Sequence, residues 1–146
     1  MLTDRVIPKD LKEKINILVV EDNLLGRKLT SFLLEKWGFH YDTCANGKLA
    51  LDNLKIKKYD LILMDIQMPE MDGHETTKYI RQKLKLGLPI IAMTSHASEE
   101  ERKNCLSSGM NDYLAKPIVE EELYNLTVNY LFSTVVEAQE NKMKER

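Results

Sequence analysis

Short apolar runs and amphipathic stretches alternate along almost the whole chain, and this alternation limits the fold more than any other feature. Residues 15–20 (INILVV) form a β-branched apolar run of strand length. Residues 39–44, 59–64 (YDLILM), 88–93 (LPIIAM) and the short DYLA at 112–115 repeat the pattern. The run at 59–64 is apolar enough for burial on both faces, whereas 39–44 is weaker and predicts a strand nearer an edge. Pro89 is tolerable because it stands at the beginning of its strand.

The intervening stretches have helical period. Residues 24–38 place Leu25, Leu29, Phe32 and Leu33 on one helical face, with Gly38 as the stop. A second helix opens at the Asn46-Gly47 turn, and a third runs over 73–87. The fourth has Ser98 as N-cap and Gly109 as its close, and the last is amphipathic over 118–131. Five strands alternating with five helices predict a doubly wound α/β fold, an open parallel sheet with helices on both faces. The domain runs over 15–131, after a charged lead-in at 1–14 and before a helix extension or polar tail at 132–146.

Composition narrows the function classes. Lys and Arg number 21 against 23 Asp and Glu, a net charge of −2, so the chain has no basic footprint for nucleic acid. No apolar run approaches the ~20 residues that span a bilayer, so no membrane contact is expected of this domain. The first residues lack the apolar stretch of a signal peptide. Cys44 and Cys105 lie far apart with no C-x-x-C spacing, which predicts two reduced thiols and a cytoplasmic protein.

In this fold class ligands bind beyond the carboxyl ends of the strands. Reading the residue after each strand gives Glu21 and Asp22, then Asp65, Thr94 and finally Lys116 with Pro117. Three carboxylates, a hydroxyl and an amine therefore converge on one sheet edge. At ~5 Å and an effective dielectric near 20, each carboxylate pair repels by roughly 3 kcal/mol. The cluster needs a cation, a raised pKa, or both. Lys116 offsets one charge, and the remaining acids suit Mg²⁺, a hard ion that favours carboxylates and phosphate oxygens. Singly, each residue has an ordinary reading: an acid pair is often a helix cap, Thr a strand residue, Lys-Pro a turn. The combination at matching strand ends favours a site.

The segments ILVVEDN, LILMDIQMPEMDG, IIAMTSHA and GMNDYLAKPI, in this order and spacing, resemble the receiver domain of two-component response regulators. They are most similar to receivers attached to hybrid sensor histidine kinases. The resemblance implies a flavodoxin-like sheet of order 2-1-3-4-5. It implies that Asp65 accepts a phosphoryl group from a phosphohistidine, on a histidine kinase or histidine phosphotransfer domain. Asp22, Asp65 and the Gln67 carbonyl would hold Mg²⁺, with Glu21 acting through a bound water. Lys116 would neutralise charge on the transferring group across a cis bond to Pro117.

Thr94 and Tyr113 would form the switch, remodelling the face made by residues 98–131, where a homodimer would also form. The plainer reading of Tyr113, an ordinary strand aromatic, is the weaker one, because the residue falls where the family's switch aromatic does. Gln67 and His96 would tune the acyl phosphate's lifetime, although His96 also reads as a plain loop residue, and His40 and His74 read as surface or turn residues. Gly26, where many hybrid-type receivers carry a polar residue, is expected only to loosen the start of its helix.

Three other readings compete with this one. A Mg²⁺-dependent aspartate phosphatase needs a second carboxylate two residues after its nucleophile, where this chain has Gln67. A flavin binder needs a Ser/Thr/Gly-rich loop after strand one, where EDNLLG would repel the phosphate. A receiver acting purely as a binding module ranks low, because every side chain of the phosphoacceptor set is present. No output domain fits after residue 131, so a stand-alone regulator or a piece of a hybrid kinase is expected, the latter favoured.

Overall fold

A computed structural model describes residues 7–133. Residues 1–6 and 134–146, which include most of the predicted tail, lie outside the described residues. In chain order the elements are α1 (Lys9–Glu13), β1 (Asn16–Val20), α2 (Leu24–Lys36), β2 (His40–Cys44), α3 (Gly47–Ile56) and β3 (Leu61–Asp65). They continue with α4 (Gly73–Gln82), β4 (Ile90–Thr94), α5 (Glu99–Ser108), β5 (Asp112–Ala115) and α6 (Glu120–Leu131). All strands pair parallel in the order β2-β1-β3-β4-β5, the order expected of a receiver.

Strand period sorts the core into two layers, since successive side chains point to opposite faces. Ile17, Val19, Leu61, Leu63, Ile91 and Met93 pack on one face against Leu33 and Leu34 of α2 and Leu123 and Val128 of α6. Leu18, Val20, Ile62, Met64, Ile90 and Ala92 pack on the other, against Ala50, Leu51 and Leu54 of α3, Ile80 of α4 and Cys105 of α5. β3 and β4 are buried throughout, as continuous apolar runs require in a sheet covered on both sides. β2 is an edge strand with only Cys44 buried, which matches its weaker pattern.

Four helices, α2 to α5, start on side-chain caps: Asn23 accepts from the Gly26 amide, Asn46 from Leu49, Asp72 from Glu75 and Ser98 from Glu101. Gly109 closes α5 in the left-handed region at φ 109°.

Several local expectations change. Asp65 and Thr94 are the last residues of their strands, not the first beyond them. α4 ends at Gln82, short of the expected Gly87, and Lys85 takes φ 54° in the irregular connection to β4. Within the lead-in, α1 forms a short helix and Ile7 is buried in the α2–α6 core. On α2, Leu33 is buried but Leu25 and Phe32 are 78% and 64% exposed. The sheet takes Thr30, Leu33 and Leu34 instead, so α2 carries a second apolar stripe facing solvent.

Candidate functional site

Parallel pairing in register brings the C-terminal ends of β1, β3 and β4 to one rim of the sheet. The Glu21 amide extends the β1–β2 ladder by donating to the Cys44 carbonyl (3.1 Å), and the Ile66 amide extends β3–β4 by donating to the Met93 carbonyl (3.2 Å). The Lys116 amide donates to the Thr94 carbonyl at 2.8 Å, so strand five's outgoing chain is tied to strand four's end. The Lys116–Pro117 bond is cis, as expected from the resemblance.

Lys116 Nζ donates to Glu21 Oε1 at 2.7 Å and to Asp65 Oδ1 at 3.2 Å. Glu21 and Asp65 are both buried, while Asp22 is exposed at the mouth. One carboxylate oxygen from each of Glu21, Asp22 and Asp65 lies within 4.8 Å of the others. The crowding has the predicted electrostatic result. Burial, then the Glu21 carboxylate beside it, pushes the Asp65 carboxyl up to about 6, against the pull of Lys116. Burial and Asp65 also raise Asp22. Burial works to lower Lys116, but the hydrogen bond to Glu21 and the charges of Asp65 and Glu21 outweigh it, and the amine is raised.

A divalent cation fits this donor set. Glu21 Oε2 is buried with no hydrogen-bond partner, a costly state for a carboxylate oxygen unless something polar satisfies it. The acids are all oxygen donors and exceed the single ammonium in charge, which is the chemistry of a hard-ion site.

Thr94 is fully buried, and its hydroxyl oxygen accepts from the His96 amide at 3.0 Å, leaving its proton free to donate. Tyr113 is half-buried against the core layer under α3, α4 and α5. Gln67, Ser95 and His96 are exposed around the mouth. His40 is exposed, but His74 is not the surface residue expected: it lies on α4, bonded to Ser108 and Glu101 of α5.

Three contributors carry no chemical signature in the sequence. Arg27 Nη1 donates to the Glu21 and Asp22 carbonyls at 2.7 and 3.1 Å, pinning the acid-bearing turn. At Gly26 a Cβ would come within 2.3 Å of Glu21 Oε1, so this glycine leaves the space into which the Glu21 carboxylate folds. Its role is thus more than the loosened helix start expected from propensity. Gly73 lets α4 start directly against the end of β3, where a Cβ would be 2.5 Å from the Asp65 carbonyl oxygen. The spacing from Asp65 to the MDG triplet could have signalled that contact.

The family model for the response regulator receiver domain matches residues 17–127. The chain belongs to that family. It is 41% identical over 125 residues to the signal transduction histidine-protein kinase BarA of Escherichia coli K12, covering 85% of this chain and 14% of BarA. The chain thus spans about a seventh of that relative's length. Among solved structures, the receiver of sensor histidine kinase PA1611 from Pseudomonas aeruginosa has TM-score 0.74 and 38% identity, covering 80% of this chain and 97% of that one. That receiver holds a magnesium ion in its active-site cleft. A co-crystal of the Saccharomyces cerevisiae histidine phosphotransfer protein Ypd1 with the Ssk1 receiver gives TM-score 0.76 and 31% identity, covering 86% and 91%. No helix among the described residues is long and apolar enough to cross a membrane.

Proposed function

We propose that this receiver accepts a phosphoryl group on Asp65 from a phosphohistidine and changes its surface in response. The observation that carries this reading is the buried Asp65 carboxylate held 3.2 Å from Lys116 Nζ inside a three-acid cluster. An Asp65 oxygen attacks phosphorus, the P–O bond forms as the P–N bond breaks, and the imidazole leaves with the electron pair. Lys116 donates to the phosphoryl oxygens, whose charge must be held through the transition state. Asp22 and Asp65 would hold Mg²⁺, with Glu21 and the Gln67 carbonyl completing the set. Bound there, the ion supplies positive charge against the phosphoryl oxygens.

The donor's docking face is the exposed stripe of α2. A groove of about 340 Å³ runs from Glu21 and Lys116 past Gly26, Leu25 and Leu29. A helical histidine phosphotransfer domain or the kinase's own helical bundle would cover these leucines and Phe32 while presenting its histidine at the groove's end. The solved complex of Ypd1 with a receiver of this fold supports that class of partner. The Thr94 proton then bonds the new phosphoryl oxygen, and Tyr113 follows its loop inward, shifting the population of the α5–β5–α6 face, on which a homodimer could assemble. Gln67 and His96, at the mouth, set the acyl phosphate's lifetime by controlling water. The free buried thiols of Cys44 and Cys105 support a reducing, cytoplasmic setting.

Incubation with Mg²⁺ and acetyl phosphate, followed by intact mass, tests the reading. One phosphoryl mass is expected, absent in Asp65→Asn. An unmodified wild type would leave only a binding module, and an equal gain in the variant would put the phosphoryl group on a residue other than Asp65.

A further inference from the structure

Beside the rim, α4 and α5 face each other across a polar seam that the phosphoryl chemistry does not use. Glu101, Cys105 and Ser108 stand at helical spacing on α5, and His74 opposes them from α4. His74 Nε2 is 3.0 Å from Glu101 Oε1, and Cys105 Sγ is 4.0 Å from the same oxygen. The three ligand atoms all lie within 4.8 Å of one another.

Proton accounting makes the seam unusual. The Ser108 hydroxyl donates its one hydrogen to the Cys105 carbonyl at 2.9 Å. Towards His74 Nδ1, at 3.2 Å, Ser108 therefore accepts, which places a proton on Nδ1. Nε2 then meets the Glu101 carboxylate either as an imidazolium N–H or as a bare lone pair. In the second case a cation between them satisfies both groups, and that cation is either a proton or a metal ion. The Nδ1–Ser108 bond is the kind of outer contact that fixes a metal-bound imidazole in its tautomer. One turn further along α4, the Thr77 hydroxyl is buried without a hydrogen-bond partner.

We propose that His74, Glu101 and Cys105 bind one borderline divalent cation of the zinc class. One nitrogen, one oxygen and one sulfur donor select such an ion over Mg²⁺, which avoids sulfur. Bonds of about 2.0 Å to N and O and about 2.3 Å to S in a tetrahedron separate the donors by roughly 3.3–3.6 Å. The observed 3.0 and 4.0 Å separations lie within a side-chain adjustment of that geometry. Three protein ligands leave the fourth position for water. Binding exchanges the Cys105 thiol proton for the metal, and the proton leaves to solvent. The ion would bolt α5 to α4, and α5 begins just beyond the loop that carries Thr94 and His96.

Cobalt reports the ligands directly. Reduced full-length chain titrated with Co²⁺ is expected to develop a near-ultraviolet thiolate-to-cobalt band and visible tetrahedral bands, saturating at one equivalent. The bands persist in Cys44→Ser and Asp65→Asn, vanish in Cys105→Ser, and need at least ~10-fold more Co²⁺ in His74→Gln. Because Cys105 is buried, the partly exposed His74→Gln, checked by circular dichroism, carries the test if Cys105→Ser unfolds. No thiolate band in the folded wild type would overturn the proposal, as would bands unaffected by His74→Gln or lost only in Asp65→Asn. Asp65→Asn also separates this site from the phosphoacceptor, since failure of either leaves the other's readout intact.

Discussion

Lys116 Nζ lies 2.7 Å from Glu21 Oε1, pairing residues 95 positions apart across the rim of the sheet. The ammonium offsets part of the acid cluster's charge and would compete with a metal for it. Replacing Lys116 with Met separates these roles. Mg²⁺ affinity, measured by calorimetry, should rise because Glu21 and Asp65 lose their internal cation. Phosphorylation by acetyl phosphate should fall by about 10²-fold, the scale of losing one preorganised donor to developing charge. Weaker Mg²⁺ binding together with unimpaired phosphorylation would contradict both assignments.

The Asp65 carboxyl has a worked pH consequence. Its folded value of about 6 lies above the ordinary 3.8, so the folded chain holds this proton more tightly than the unfolded chain. The associated stability is full below about pH 4 and is lost as pH rises through about 6. The shift corresponds to about 2–3 kcal/mol. Urea unfolding in EDTA should find wild type losing that much relative to Asp65→Asn between pH 4 and 7.5. Saturating Mg²⁺ should restore wild type at neutral pH and leave the variant less affected. A pH-independent difference between the two proteins would refute the assignment.

Two glycines offer a matched contrast. A Cβ at Gly73 would sit 2.5 Å from the Asp65 carbonyl oxygen and 2.9 Å from Ile66 Cα, both backbone atoms that cannot swing aside. Gly73→Ala should cost about 1–3 kcal/mol in denaturant unfolding and impair phosphorylation by moving the strand end. At Gly87 nothing lies within 4 Å and the backbone is not left-handed, so Gly87→Ala should be neutral or add up to about 1 kcal/mol. Equal effects at the two positions would mean that the close approach at Gly73 carries no energy.

The exposed stripe on α2 should matter to a partner and not to the fold. Phe32→Ala and Leu25→Ala remove side chains that are largely in solvent, so stability should stay within about 0.5 kcal/mol. Phosphorylation by acetyl phosphate should be unchanged, while transfer from a phosphohistidine protein should slow by 10-fold or more. Transfer at the wild-type rate would move the docking face elsewhere.

The architecture and most of the rim were readable because strand and helix periods differ and the strands are short. The run at 59–64 announced a central strand, and the residues read just past each apolar run announced the cluster. Glu21, Asp65 and Lys116 were therefore identifiable before any geometry. Periodicity misled on α2, because an apolar stripe marks a surface that avoids water without saying whether the core or a partner covers it. Gly26 was unreadable as a site residue, since its contribution is the absence of a Cβ beside the Glu21 carboxylate, and Gly73 was legible only through its spacing from Asp65. His74 was missed for a related reason: its partners lie 27 and 34 positions away on a neighbouring helix.

β3 is the middle strand of five, paired on both sides and covered on both faces, whereas β5 is an edge of four residues. Local opening of Leu63 or Met64 must break two ladders and two packing layers, so their amides should exchange with solvent only through global unfolding. Tyr113 and Leu114 have one ladder to lose. The molecule is thus an anvil with a pliable lip: the proposed phosphoacceptor is set in its least yielding strand, and the proposed switch aromatic in the strand where opening requires the least free energy.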